Sequence, residues 1–178
     1  QRGYGFYRVG EQYVDPDTNE VLGYEARQIG LGRVADHDED MLTLRVTRSS
    51  EDLRIDDRLF STEDRRVRSV LYPSAPDTKI EGKVIRFFDR ISSVARNDVV
   101  VVNKGLRDGL KEGNVLDVFG QGEAVRDRQR GDMVRLPRER TGSMVIFRVF
   151  DKVSYGLIME STRPIYMNDI AESPAGSY

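Results

Sequence analysis

Three short stretches of the chain follow one pattern: an apolar residue, a gap of two, a residue of the Asp, Gly or Asn type, then Asp or Asn, then strand-forming residues. They run from Leu53 to Leu59, from Leu110 to Leu116 and from Ile165 to Ala171. Asp56, Gly113 and Asn168 hold the position before the last polar residue, and these are the residue types that tolerate left-handed backbone. Each is followed by a side chain able to bond its own turn before the next strand starts. The three positions are 57 and 55 residues apart. Three segments that open with Gly and reach Val 11 or 12 positions later, Gly23 to Val34, Gly82 to Val94 and Gly142 to Val153, recur at intervals of 59 and 60. Such a period predicts a β unit used about three times, which suits a scaffold better than a catalytic cleft.

The hydrophobic pattern between these landmarks is that of short strands. Leu42, Leu44 and Val46 alternate with Thr43, Arg45 and Thr47, predicting a half-buried strand. Val99 to Val102 is apolar on both faces and predicts a strand in the middle of a sandwich or barrel. Val145, Phe147 and Val149 alternate with Ile146, Arg148 and Phe150 in a third. Asp15 to Asn19 reads as a hairpin turn, and Asp36 to Asp40 separates two strand patterns. The best helical stretch is Glu63 to Val70, with Ser61 or Thr62 to cap it. The fold expected is therefore all-β, small barrel or sandwich units built from about three related repeats, with little helix. Pro73 to Asp77 reads as a stiff connector, which gives an N-terminal β unit over 1–78, further β units over 79–174, and residues 175–178 as a tail or expression remnant.

Composition narrows the chemistry. The 178 residues include no Cys, which removes disulfides, thiolate metal sites and Cys nucleophiles, and a single His. His37 lies in Asp36-His37-Asp38-Glu39-Asp40, where one imidazole among carboxylates fixes no coordination geometry and reads as a solvated turn. Gly30-Leu31-Gly32 and Gly120-Gln121-Gly122 lack the third Gly and following helix of a dinucleotide fingerprint, so they read as strand kinks or turns. No apolar run exceeds four residues, far short of a membrane span. No catalytic residue, cofactor site or metal site is expected. The chain starts at Gln1 without Met and reads as a piece of something longer.

The charges point instead toward contact with another protein. The chain holds 28 Lys plus Arg against 30 Asp plus Glu, and 23 of the 28 are Arg, the residue suited to bidentate pairing with carboxylates. Residues 126 to 140 carry six Arg against Asp127, Asp132 and Glu139, a local excess of +3 inside the longest polar segment, 120 to 140. No aromatics interleave with these Arg, which argues against nucleic acid and for an acidic protein surface. Arg126, Arg128, Arg130 and Arg135 are the candidate contacts. A second candidate is the aromatic terminal strand of Tyr4, Phe6 and Tyr7, able to pair with an edge of this chain or of a partner. Of Phe87 and Phe88, adjacent on one strand, only one can point inward, leaving the other as an exposed aromatic.

Several motifs together resemble one family. They are Tyr7-Arg8-Val9-Gly10 with Val21-Leu22-Gly23-Tyr24-Glu25-Ala26, then Val99 to Val102 with Asn103-Lys104-Gly105-Leu106-Arg107-Asp108-Gly109-Leu110, and finally Leu136 to Gly142 running into Val145 to Tyr155. They resemble the C-terminal region of the LysM-containing type IV pilus secretin-associated proteins of Gram-negative bacteria, a region related to the C-terminal domain of flagellar assembly protein T. The resemblance implies a non-enzymatic periplasmic accessory protein that docks on the outer-membrane secretin, in several copies around its ring. It also implies a tie to peptidoglycan through a LysM module, which is missing from this sequence. A flagellar basal-body ring component, and a module that binds or cleaves peptidoglycan glycan, are the alternatives.

Overall fold

The computed structural model describes residues 3–62, 70–88, 92–122, 124–129 and 131–176. The helix expected over Glu63 to Val70 lies, apart from Val70, outside the described residues. Among those described, the chain is mostly strand, with one 3-10 turn at Leu106–Asp108, and no helix is long and apolar enough to cross a membrane. It divides into two compact units, residues 1–13 with 23–67, and residues 14–22 with 68–178.

The first unit is a four-stranded sheet. Its strands are β1 (Gly3–Val14), β2 (Val21–His37), β3 (Leu42–Ser49) and β4 (Arg58–Ser61), in the order β3-β2-β1-β4. β1 pairs antiparallel with β4 from Tyr4↔Ser61 to Tyr7↔Arg58, and β2 pairs antiparallel with β3. The two glycines of Gly30-Leu31-Gly32 make room for an aromatic ring: a Cβ at Gly32 would stand 2.9 Å from the Phe6 ring, and one at Gly30 3.4 Å from it. The ladder shifts register between Leu31 and Gly32, as expected of a strand kink. Tyr7, Tyr13 and Ile29 are buried. β3 forms where the alternation predicts, yet it is not half-buried. Leu42 and Val46 are exposed on what is an edge strand of the sheet, and only Leu44 is half-buried.

The second unit contains β5 (Glu81–Phe87), β6 (Val99–Val102), β7 (Val115–Phe119), β8 (Ala124–Arg126), β9 (Met133–Arg135), β10 (Arg140–Val149), β11 (Ser154–Ser161) and β12 (Ile170–Glu172). Six of these close into an antiparallel barrel in the order β10-β11-β6-β5-β12-β7. Exchanging β5, β6 and β7 for β10, β11 and β12 maps this order onto itself, so the barrel consists of two interlocked halves. The repeated landmarks mark the halves: Gly82 and Gly142 lie in β5 and β10, and Gly113 and Asn168 lie just before β7 and β12. The remaining landmark pair, Gly23 and Asp56, belongs to the four-stranded sheet.

Alternation around a closed sheet gives the barrel an inner face with no edge to expose. Val84, Val100, Leu116, Val118, Met144, Ile146 and Ile158 are fully buried within one cluster, each contributing roughly 1.5–3 kcal/mol of transfer free energy. β6, apolar on both faces, is flanked by β5 and β11. The tip joining β1 to β2 is also part of this unit. Asp15 accepts the N–H groups of Asp17 and Thr18 and an amide proton of Asn103 (2.8 Å), while Glu20 takes both guanidinium nitrogens of Arg107 (2.8 and 2.9 Å) and the Lys152 ammonium (2.8 Å). Those two cations hold the Glu20 carboxyl down at about 2.

Candidate functional site

Four turns among the described residues share a single construction, at 54–57, 95–98, 111–114 and 166–169. In each the third residue has positive φ: Asp56 (82°), Asn97 (75°), Gly113 (96°) and Asn168 (68°). The fourth residue, Asp57, Asp98, Asn114 or Asp169, accepts the first residue's N–H through its side chain at 2.7–2.9 Å, and returns its own N–H to the first residue's carbonyl. Each turn launches a strand: β4, β6, β7 and β12. Three were legible as a repeat. The fourth, Val94-Ala95-Arg96-Asn97-Asp98, has the same spacing and was missed because Asn97-Asp98 reads equally well as a plain strand boundary.

The acids of these turns end in different surroundings. Asp57 receives both Nε (2.9 Å) and Nη2 (2.9 Å) of Arg8, which hold its carboxyl below the ordinary range, aided by the Arg54 N–H. Arg8 also bonds Glu51, which pairs in turn with Arg27. Asp169 instead sits at the floor of an open cleft of about 530 Å³, lined among others by Gln121, Leu136, Pro137, Pro164, Tyr166 and Met167. It is 3% exposed, and burial pushes its carboxyl up against the pull of the Tyr166 and Gln121 N–H groups.

The longest polar segment, residues 120 to 140, contains a hairpin. β8 and β9 pair antiparallel with Ala124↔Arg135, Val125↔Val134 and Arg126↔Met133, closed by the Asp127 N–H on the Asp132 carbonyl and by Gly131 at φ 74°. Three-residue strands carry too little periodicity to be read in advance. The structure sorts the basic residues of this segment. Arg138 pairs with Glu81, and Arg140 with Asp117 (2.8 Å) and Glu160 (3.2 Å). Arg126, Arg128 and Arg135 are exposed and have no ion pair among the described residues, and Arg130 lies outside them. Val125, Met133, Val134 and Leu136 are exposed beside them.

The aromatic terminal strand lies inside its own sheet. β1 stands between β2 and β4, so the edges it pairs with belong to this chain. Tyr7 is buried against the Phe60 ring at 5.6 Å, while Tyr4 and Phe6 are half-buried. Of the adjacent pair, Phe87 is in the barrel core at 6% exposure and Phe88 points out at 40%. Phe88 joins Phe147 and Phe150 around Tyr155, with ring centroids at 5.1, 6.3 and 5.1 Å, beside a cleft of about 380 Å³ that Asn97 and Asp98 also line. His37 is exposed at the end of β2, and among the described residues no group of three or more acids and His is placed to hold a metal ion.

The second unit defines a closed six-stranded antiparallel barrel made of two interlocked halves, carrying an inserted hairpin, an outward aromatic cluster and a cleft over a buried acid. No protein-family model matches the chain, and no curated protein is significantly similar to it.

Proposed function

We propose that this chain is a non-enzymatic docking module of a larger periplasmic assembly, and that its partner is the outer-membrane secretin of a type IV pilus. The observation that carries the docking part is the β8–β9 hairpin. It exposes Val125, Met133 and Val134 together with Arg126, Arg128 and Arg135, three guanidinium groups without ion pairs among the described residues. Apolar area beside unpaired Arg is the composition of a protein-binding patch, and it suits an acidic partner surface. The secretin comes from the sequence resemblance alone, as do the periplasmic location, the arrangement of several copies around a ring, and the tie to peptidoglycan through a LysM module absent from this sequence.

Co-purification of the chain with the secretin tests both parts. The double substitution Arg126→Glu and Arg128→Glu should weaken capture and flatten its salt dependence. Retention that ignores both changes removes the hairpin from the reading, and no capture of the unaltered chain removes the secretin.

A glycan-binding reading has its own observation, the aromatic cluster around Tyr155 with Asn97 and Asp98 at its rim. Aromatic faces beside amide and carboxylate groups suit a sugar ring. Quenching or enhancement of tyrosine fluorescence by soluble muropeptides, lost in Phe88→Ala, would favour this reading over the secretin.

A further inference from the structure

The two halves of the barrel place different residues at one equivalent position, and the difference isolates a charge. In the first half Asn114 accepts the Lys111 N–H through its side chain at 2.8 Å. In the second half Asp169 accepts the Tyr166 N–H at 2.9 Å. A neutral amide therefore satisfies this turn, and the negative charge of Asp169 is surplus to it. That charge is held at 3% exposure, where its desolvation is costly unless it is paired. Among the described residues it has no cation. Arg163, the one basic residue among the described residues that line the same cleft, is paired with Glu139.

The neighbourhoods of the two side chains differ as well. Beside Asn114 the chain's own connector lies extended. The Ser74 N–H donates to the Gly113 carbonyl (3.0 Å), the Val115 N–H donates to the Ser74 carbonyl (2.8 Å), and the Asn114 amide donates to Ser74 Oγ and the Ala75 carbonyl. Beside Asp169 the chain's own residues 119 to 121 take the corresponding places, since Ile170, which matches Val115, pairs with Phe119, and the Asn168 carbonyl, which matches that of Gly113, accepts the Gln121 side chain at 2.7 Å; the open cleft adjoins them. Its apolar walls, Leu136, Pro137, Pro164 and Met167, suit the methylene stem of a long basic side chain.

We propose that this cleft receives a basic segment of a partner protein, with one lysine or arginine stem laid against the apolar wall and its charged head on Asp169. The incoming cation supplies the counter-charge that the fold withholds. This inference is independent of hairpin docking: the hairpin presents cations to an acidic surface, whereas the cleft accepts a cation.

The test uses the full chain, 15N-labelled, titrated with the capped tripeptide Ac-Ala-Lys-Ala-NH2 and with its norleucine analogue, which keeps most of the stem and lacks the charge. The amides of Gln121 and Tyr166, both bonded to Asp169, should shift saturably with the lysine peptide. The norleucine peptide should bind roughly tenfold more weakly, the scale of one charge-assisted hydrogen bond. Asp169→Asn should keep the fold, as Asn114 does in its own turn, and bring the lysine peptide down to the norleucine level. Equal binding of the two peptides, undiminished lysine binding by Asp169→Asn, or no shift at either amide would overturn the proposal. The peptide comparison on the unaltered chain decides the matter even if the variant fails to fold.

Discussion

The barrel and the four-stranded sheet are built from the same alternating sequence and the same acid-closed turn, and they hold together by different means. In the barrel the inward side chains meet others across a closed wall, giving a core mostly of Val, Ile, Leu and Met, none more than 6% exposed. The sheet has a flanking edge strand whose Leu42 and Val46 stay exposed, and Tyr7, Tyr13 and Ile29 make a thin buried set. Its second fastening is ionic, with Arg8 gripping Asp57 and Glu51 at once. Closure, more than composition, converts alternation into a core.

Three substitutions and one change of condition press on this contrast. The largest effect should come from Ile146→Ala, at 0% exposure, which removes packed methylenes and leaves a cavity at a cost of about 2–5 kcal/mol. Val46→Ala, at 45% exposure on β3, should stay within about 0.5 kcal/mol. Urea denaturation followed by far-UV circular dichroism measures both, and similar costs would erase the distinction between core and open face.

Acid should separate the regions next. Asp57 is held low by the Arg8 hydrogen bonds, and Glu20 is held at about 2 by Arg107 and Lys152. A carboxyl depressed in the folded state contributes stability that is present above its unfolded pKa, near 4, and lost as pH falls through the folded value. Asp169 has the opposite sign: burial raises its pKa, so protonation relieves a cost inside the barrel. Between about pH 4.5 and 2, amides of β1, β4 and the 14–22 tip should lose hydrogen-exchange protection before those of β6. Simultaneous loss would show that ionic fastening does not distinguish them.

A small effect of opposite sign to that of Ile146→Ala belongs to Ser154. Its Oγ is buried in the barrel wall without a hydrogen-bond partner among the described residues. Ser154→Ala should be neutral or stabilising by up to about 1 kcal/mol, and a clear destabilisation in thermal melts would reveal a hidden bond.

What the sequence disclosed was local. The strand at Val99–Val102, the hairpin tip at Asp15 to Asn19 and the left-handed positions Asp56, Gly113 and Asn168 all depend on neighbours a few residues away, where residue type constrains geometry directly. The burial expected of Leu42 and Val46 failed because it depends on the strand's place in the sheet, and β3 lies at its edge. Asp169 stood in view as a turn residue, but its burial is set by Gly120 to Gly122 and Leu136 to Pro137, about thirty to fifty positions away. Barrel closure was likewise out of reach, since it joins Ile80 to Ser173 across 93 positions.

The three residues of β12 have a consequence for how the chain reaches this state. Ile170 pairs with Lys83 of β5 on one side and with Phe119 of β7 on the other, so the last barrel strand to be synthesised is the one that joins the first strand to the third. Until it emerges, both seams stand open with unpaired backbone, and closing them requires ends far apart in the chain to meet. Barrel closure therefore waits for β12, and a ribosome-bound chain ending before residue 170 displays two raw sheet edges to whatever binds nascent strands.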